Sequence, residues 1–413
     1  MNLLKKYFRK SVIAVVIASL FSISAISQAA ADGITWTSRT SAADNNWDSI
    51  TYGNGLFVAV STSGTGNRVM TSPDGITWTS RTSAADNFWL SVTYGNGLFV
   101  AVSNSGTGNR VMTSPDGITW TSRTSAADIS WTSVTYGNGL FVAVSSTGTG
   151  NRVMTSPDGI TWTSRTSAAD NAWRGVTYGN GLFVAVSYDG TGNRVMTSPD
   201  GINWTSRTSA ADNEWYSVTY GNGVFVAVSN TGTGNRVMTS PDGTTWTSRT
   251  SSADNEWFSV TYGNGLFVAV SATGTNNRVM TSPDGFNWTS RTSAADNNWF
   301  SVTYGNGLFV AVSYSGTGNR VMTSGVIGLA ERTTAAANAE AARVAAANAE
   351  AARKAREQQE LREILALIPS IGELTLSLGE TTKSLYSTKC VKGKTTKYVK
   401  SGAKCPKGYV KKK

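Results

Sequence analysis

Asp32–Pro73 reads DGITWTSRTSAADNNWDSITYGNGLFVAVSTSGTGNRVMTSP, and these 42 residues return almost letter for letter from Asp74, Asp116, Asp158, Asp200, Asp242 and Asp284. No insertion or deletion interrupts the series, whose seventh copy ends near Ser324. Within one copy, four short runs rich in β-branched and aromatic residues alternate with turn-forming stretches. Trp47–Tyr52 is the first run, and Gly53-Asn54-Gly55 predicts a tight hairpin after it. Leu56–Ser61, continuously apolar, suits a strand covered on both faces. Arg68–Thr71 follows the turn Gly64–Asn67, and Ile76–Arg81 follows Ser72-Pro73-Asp74-Gly75. In that turn Pro presets φ, Asp caps local amides and Gly accepts a positive φ. The polar loop SAADN then leads to the next copy.

Four runs joined by hairpins make a four-stranded antiparallel sheet, which cannot bury both faces alone and must stack on its neighbours. Seven such sheets in a ring predict an all-β fold, a seven-bladed β-propeller over residues 32–325. One fourth-type run, Ile34–Arg39, precedes the first full set, and only three runs, within Trp299–Ser324, end the series. The first strand can therefore complete the last sheet, a 1+3 closure; an open solenoid is the alternative.

The turn SPDGITW (Ser72, Asp74, Gly75, Thr77, Trp78 and later copies) resembles the Asp-box, or BNR, motif of sialidase-like secreted propellers. It departs from that motif by lacking one residue between Asp and Gly. The resemblance covers about seven residues per copy and implies a structural turn within a propeller.

Outside the repeats the composition changes. Residues 1–31 carry Lys5, Lys6, Arg9 and Lys10 before an uncharged apolar run ending in small residues, the pattern of a signal peptide. The chain is expected to be secreted or held in the cell envelope, with an uncleaved membrane anchor as the alternative. Residues 326–369 are expected to form an Ala-rich helical stalk, a spacer or weak coiled coil stopped by Pro369, and 370–387 a linker. Residues 388–413 carry ten Lys and no acid, with Cys390 and Cys405 as the only cysteines of the chain. In an exported chain these predict a disulfide closing a small basic loop. The pattern CVKGKTTKYV…KCPKGYVKK looks like tails of exported actinobacterial proteins, which implies an envelope-related role. Anionic wall polymers or lipid head groups are the partners expected for Lys389–Lys413, and export makes nucleic acid an unlikely one.

The net charge of +10 is concentrated in that tail, because the repeat region carries 15 Arg against 18 acids. No histidine occurs, which rules out Ser-His-Asp and Cys-His catalysis and His metal ligands. No metal or cofactor is expected. The SAADN acids supply one carboxylate per loop, too few oxygens for calcium, and read as turn caps. The GTGNR turn joins two strands and opens no helix, so it is not a phosphate loop.

Function is sought where the copies differ. Before the first-run Trp stand Asn46, Phe88, Ser130, Ala172, Glu214, Glu256 and Asn298. After it stand Asp48, Leu90, Thr132, Arg174, Tyr216, Phe258 and Phe300. The turn between second and third runs offers Thr62, Asn104, Ser146, Tyr188, Asn230, Ala272 and Tyr314. In an up-and-down blade these positions lie at one end, whereas the YGNG and SPDG turns of the other end are nearly constant. Exposed aromatic and charged residues are costly as mere surface and common as binding anchors. Asn46, Asp48, Phe88, Leu90, Arg174, Tyr188, Glu214, Tyr216, Glu256, Phe258, Phe300 and Tyr314 are therefore expected to form a binding face for a glycan or a surface protein. No catalytic residue is assigned. The alternatives are a sialidase-like glycoside hydrolase or lyase using Glu214 and Glu256, and a purely structural envelope protein.

Overall fold

The computed structural model describes residues 33–324, Gln359, 388–399 and 404–412. The segments expected as signal peptide, helical stalk and linker lie outside the described residues, apart from Gln359. The chain divides into two compact units, Met1–Val344 and Ala345–Lys413. The first holds the repeats.

Strands are numbered β1 to β31 in chain order. The first blade is β2 (Trp47–Gly53), β3 (Leu56–Ser61), β4 (Val69–Ser72) and β5 (Thr79–Arg81), antiparallel and in that spatial order. Five more blades repeat this order, and the seventh is β1 (Trp36–Arg39), β28 (Val321–Ser324), β27 (Leu308–Ser313) and β26 (Trp299–Gly305). Trp36 pairs with Ser324 and Arg39 with Val321, so the first strand closes the last sheet. The fold is a seven-bladed β-propeller with 1+3 closure.

The sequence runs are reproduced to within a residue or so except at the fourth, which is three residues long in the first six blades and four, as β1, in the seventh. The cause is Asp74, whose Oδ1 accepts the amides of Ile76 and Thr77 at 2.8 Å each and withholds them from the ladder. Ser72 Oγ donates to the same oxygen, and Trp78 Nε1 donates to the Gly75 carbonyl, completing the turn.

The core lies between blades. Leu56, Val58, Val60 and Val69 of the first blade pack against Trp89, Val92, Phe99, Ala101 and Met112 of the second. The alternate faces of β2–β4, with Trp47, Phe57, Ala59 and Met70, meet Leu308, Val310, Val312 and Val321 of the last blade, which closes the ring hydrophobically. Trp47 is wholly buried yet satisfied, because its Nε1 donates to the Ala43 carbonyl at 3.0 Å. Burying one such side chain contributes roughly 2–3 kcal/mol, and the sevenfold repetition makes this seam the main source of stability.

Polar staples follow the same seams. The SAADN loop after the first blade turns Asp86 back to accept Gly66 N–H at 2.7 Å beside Arg68, and turns Asn87 forward to donate to the Asn109 carbonyl at 2.9 Å. At the closing junction Asp44 accepts Gly318 N–H and Asn45 donates to the Asn67 carbonyl, so the seventh blade is joined to the first as the others are joined to each other. These loop acids clamp blades.

The second unit contains a three-stranded antiparallel sheet in which β29 (Thr388–Lys392) lies between β30 (Thr395–Val399) and β31 (Val410–Lys412). Cys390 is disulfide-bonded to Cys405, as the sequence predicts, and Lys397 Nζ stands 5.4 Å from the centroid of the Tyr409 ring.

Candidate functional site

The inner strands β2, β6 (Trp89–Gly95), β10 (Trp131–Gly137), β14 (Trp173–Gly179), β18 (Trp215–Gly221), β22 (Trp257–Gly263) and β26 contact one another in a ring around the axis. Each opens with a bulge: Trp47 pairs with Ser61 and Ser49 with Val60, leaving Asp48 unpaired. The same shift skips Leu90, Thr132, Arg174, Tyr216, Phe258 and Phe300. A bulge re-aims the extra side chain. Here it delivers the most variable position of every blade to the axial throat.

That throat is a cavity of about 340 Å³. Asp48, Leu90, Arg174, Tyr216, Phe258, Phe300 and Tyr314 of the expected face line it together with Asn104 and Thr132. The aromatic residues form an arc across blades four to seven. Ring centroids are 6.1 Å apart for Tyr188–Tyr216, 4.5 Å for Tyr216–Phe258, 4.4 Å for Phe258–Phe300 and 4.2 Å for Phe300–Tyr314. The last two pairs are stacked, at 19° and 29° between planes.

Two charges stand among these rings. The Arg174 guanidinium carbon lies 5.4 Å from the Tyr188 centroid and 5.3 Å from that of Tyr216, a cation held by two ring faces. Its Nε is buried without a hydrogen-bond partner. Asp48 keeps some surface open to the throat, yet protein encloses the carboxyl and burial pushes its pKa from 3.8 up to about 7. The Tyr314 hydroxyl, bonded to that carboxyl, and the nearby charge of Arg174 oppose the rise without cancelling it. Burial and the Asp48 charge in turn hold the Tyr314 phenol above its ordinary value, and burial does the same for Tyr216. Tyr188 is raised by its hydrogen bond to Glu214.

The remaining residues of the expected face lie around this cavity. Asn46 and Phe88, with Leu90, Asn104 and Tyr314, line a shallower depression beside it. Phe88 is 47% exposed, with the Arg68 guanidinium 5.4 Å from its ring centroid. Asn46 Oδ1 accepts from Arg320 across the closing seam. Glu214 and Glu256 do not line the throat. Glu214 engages Tyr188, while Glu256 is fixed through its backbone, accepting Ala272 N–H and donating to Thr273 Oγ1.

Position-by-position reading missed a ring of constant serines beneath the variable residues. Ser49 Oγ accepts Val92 N–H of the next blade at 3.1 Å, and Ser91, Ser133, Ser217, Ser259 and Ser301 act likewise at their junctions. The one break is Gly175, next to Arg174 on β14. The signal was available as the single departure in an otherwise constant column.

No protein-family model matches the chain, and no curated protein sequence matches it significantly. Solved propellers do. A streptogramin B lyase structure superposes with a TM-score of 0.61 at 11% identity, covering 71% of this chain and 98% of that one. YCF48 bound to D1 peptide gives 0.53 at 16% identity over 71% and 96%. The Cps50 (Swd1) propeller domain of Myceliophteria thermophila gives 0.51 at 10% identity over 71% and 100%. At these identities the likeness establishes the fold alone.

Proposed function

We propose that the chain is a binding protein of the cell exterior whose partner inserts a projecting group into the axial throat. One observation carries this reading: positions that differ between otherwise copied blades converge on a single cavity, and they bring to it two opposite charges and an aromatic arc. A scaffold under no demand at its axis would gain nothing from enclosing a carboxylate there, since desolvation opposes ionisation.

A protein or peptide partner is favoured over a glycan. Sugar rings are gripped by open aromatic faces, whereas Phe258, Phe300 and Tyr314 stack on one another and cover theirs. YCF48, a propeller of similar fold, has been captured with a peptide, which is compatible with this use of the architecture. The Asp74-type turns fit kinship with Asp-box propellers, whose boxes are structural. The Lys-rich sheet would serve as an attachment element for anionic envelope polymers.

The test is binding of the full chain to peptide and glycan arrays, with Tyr216→Ala and Phe258→Ala variants checked for unchanged unfolding midpoints. Peptide hits lost in both variants are expected; hits retained by both would remove the throat from the function. In a parallel arm, replacing the tail lysines with glutamine should reduce retention on whole cells while leaving array binding intact.

A further inference from the structure

Among the described residues, Asp48 and Arg174 are opposite charges in one cavity that make no ion pair with each other or with a third residue. The seven ion pairs of the propeller all join a repeated Arg to a repeated loop Asp. Arg174 is the one arginine at its position in the repeat and meets no carboxylate; its support is the Tyr188 and Tyr216 rings. The two rings stand 76° to one another with centroids 6.1 Å apart, so they flank the guanidinium on adjacent sides and supply no anion, which leaves it without the carboxylate that arginine binds bidentately. Asp48 is supported by the Tyr314 hydroxyl and by no cation in contact. Asn104, on the wall beside Leu90, holds a buried Oδ1 with no partner, a further acceptor.

The two charges come from blades one and four of seven, nearly opposite one another around the axis, so the space between them is the throat itself. We infer that this throat binds a small zwitterion of the amino-acid type, its carboxylate on Arg174 and its ammonium on Asp48, with its side chain against Phe258 and Phe300. The inference rests on the reading of the throat as the binding site. Asp48 and Arg174 each bear a desolvation cost that a ligand carrying both complements would offset. Burial lifts the Asp48 pKa to about 7 against the Tyr314 hydrogen bond and the Arg174 charge, so the carboxylate lacks a contact strong enough to offset its desolvation. The cavity volume of about 340 Å³ falls at the lower end of ligand sites, which run ~300–1,000 Å³, and suits one residue-sized unit.

The chemistry is shared by a free amino acid and by a dipeptide, which carries both charges on a longer backbone, and the experiment separates them. The full chain is titrated calorimetrically with the common free amino acids, with dipeptides, and with the N-acetyl and amide forms of whichever binds best. At least one uncapped member should bind, and each cap should weaken it at least tenfold. Arg174→Gln should erase the difference between the parent and its amide, and Asp48→Asn the difference between the parent and its N-acetyl form. Tighter binding of dipeptides by tenfold or more assigns the site to a dipeptide, and anything less assigns it to the free amino acid. The inference is overturned if no member of the panel binds, or if capped forms bind as well as the parent. If capped forms or peptide-array hits bind and Tyr216→Ala abolishes them, the throat remains the binding site and only its charge preference falls. If Tyr216→Ala changes nothing, the throat reading falls too.

Discussion

The hydroxyl of Tyr314, on the last blade, lies 2.8 Å from Thr62 Oγ1 on the first and is also hydrogen-bonded to the Asp48 carboxyl. The closing seam of the ring and the charged throat therefore share one side chain. This relationship ties the stability of the closure to the protonation of Asp48.

Asp48 should make folding stability depend on pH in the reverse of the usual carboxylate sense. Its pKa in the folded chain, about 7, exceeds the ordinary 3.8, so the folded state holds the proton more tightly than the unfolded one. Below about pH 4 both states are protonated and the residue costs nothing; from pH 4 to 7 the cost grows, and above 7 it is complete. A rise from 3.8 to about 7 sets a ceiling of roughly 4 kcal/mol. Asp48→Asn, which keeps the shape, should raise the urea midpoint at pH 8 and leave it unchanged at pH 4. An equal effect at both would show that Arg174, Tyr216 and Tyr314 neutralise the carboxylate after all.

Closure of the ring can be tested at Gly305. A Cβ on this residue would lie 2.1 Å from Cγ of Tyr52, across the seam between last and first blades. At the internal junction a Cβ on Gly95 would meet Tyr136 at the same 2.1 Å. Overpacking of this kind costs typically ~1–3 kcal/mol, so Gly305→Ala and Gly95→Ala should destabilise the chain alike in urea unfolding. In an open spiral Gly305 would face no blade, and its substitution would be silent.

The turns built on Asp74 and its equivalents should govern the acid limb. Asp200 lies well below the ordinary carboxylate range because the Asn203 amide donates to it, with further bonds from Ile202 N–H and the Asn203 and Ser198 side chains outweighing its slight burial. Asp242 and Asp284 are lowered too, and Asp74, Asp116 and Asp158 also fall, in each case against burial. A depressed pKa stabilises the fold above the unfolded value and the benefit disappears as pH falls through the folded one. Stability should thus decline below about pH 4, and Asp200→Ala should lower the unfolding temperature at pH 6 more than at pH 2. A constant difference would assign the turn's effect to conformation instead of charge.

The repeat made the propeller legible because each strand run was written seven times, the closure signal stood once at the two ends of the series, and the alternation of faces is a backbone property. The site was legible as a set of positions, since Asp48, Arg174, Tyr216, Phe258, Phe300 and Tyr314 could be picked out by comparing copies. Their shared cavity was not, because it depends on a bulge at residue 48 and its equivalents. No residue type marks that bulge, since Asp, Leu, Thr, Arg, Tyr and Phe all occupy it. Equally invisible was which aromatics stack and which charges stay apart, because both follow from the ring radius and from which blades stand opposite. Glu214 and Glu256 looked like a pair because they hold equivalent places on adjacent blades. In the structure Glu214 has Tyr188 as its partner and neither lines the throat.

Gly175 offers the sharpest way to separate site geometry from stability. At six junctions a serine oxygen accepts the next blade's amide; at this one glycine leaves Val218 N–H without that acceptor, directly below Arg174 and Tyr216. A Cβ here would lie 2.8 Å from the Tyr216 carbonyl oxygen and 3.1 Å from Ser217 Cα, so β18 must move outward to admit one. Gly175→Ser would gain a hydrogen bond worth about 1 kcal/mol against a packing cost of similar size, leaving the urea midpoint nearly unchanged. The outward shift carries Tyr216 away from Arg174 and loosens one of the two rings that hold the guanidinium. Binding of a carboxylate ligand should therefore weaken several-fold in calorimetry while stability holds. Unaltered affinity would mean that the glycine is a neutral departure from the repeat and that Arg174 does not depend on the position of Tyr216.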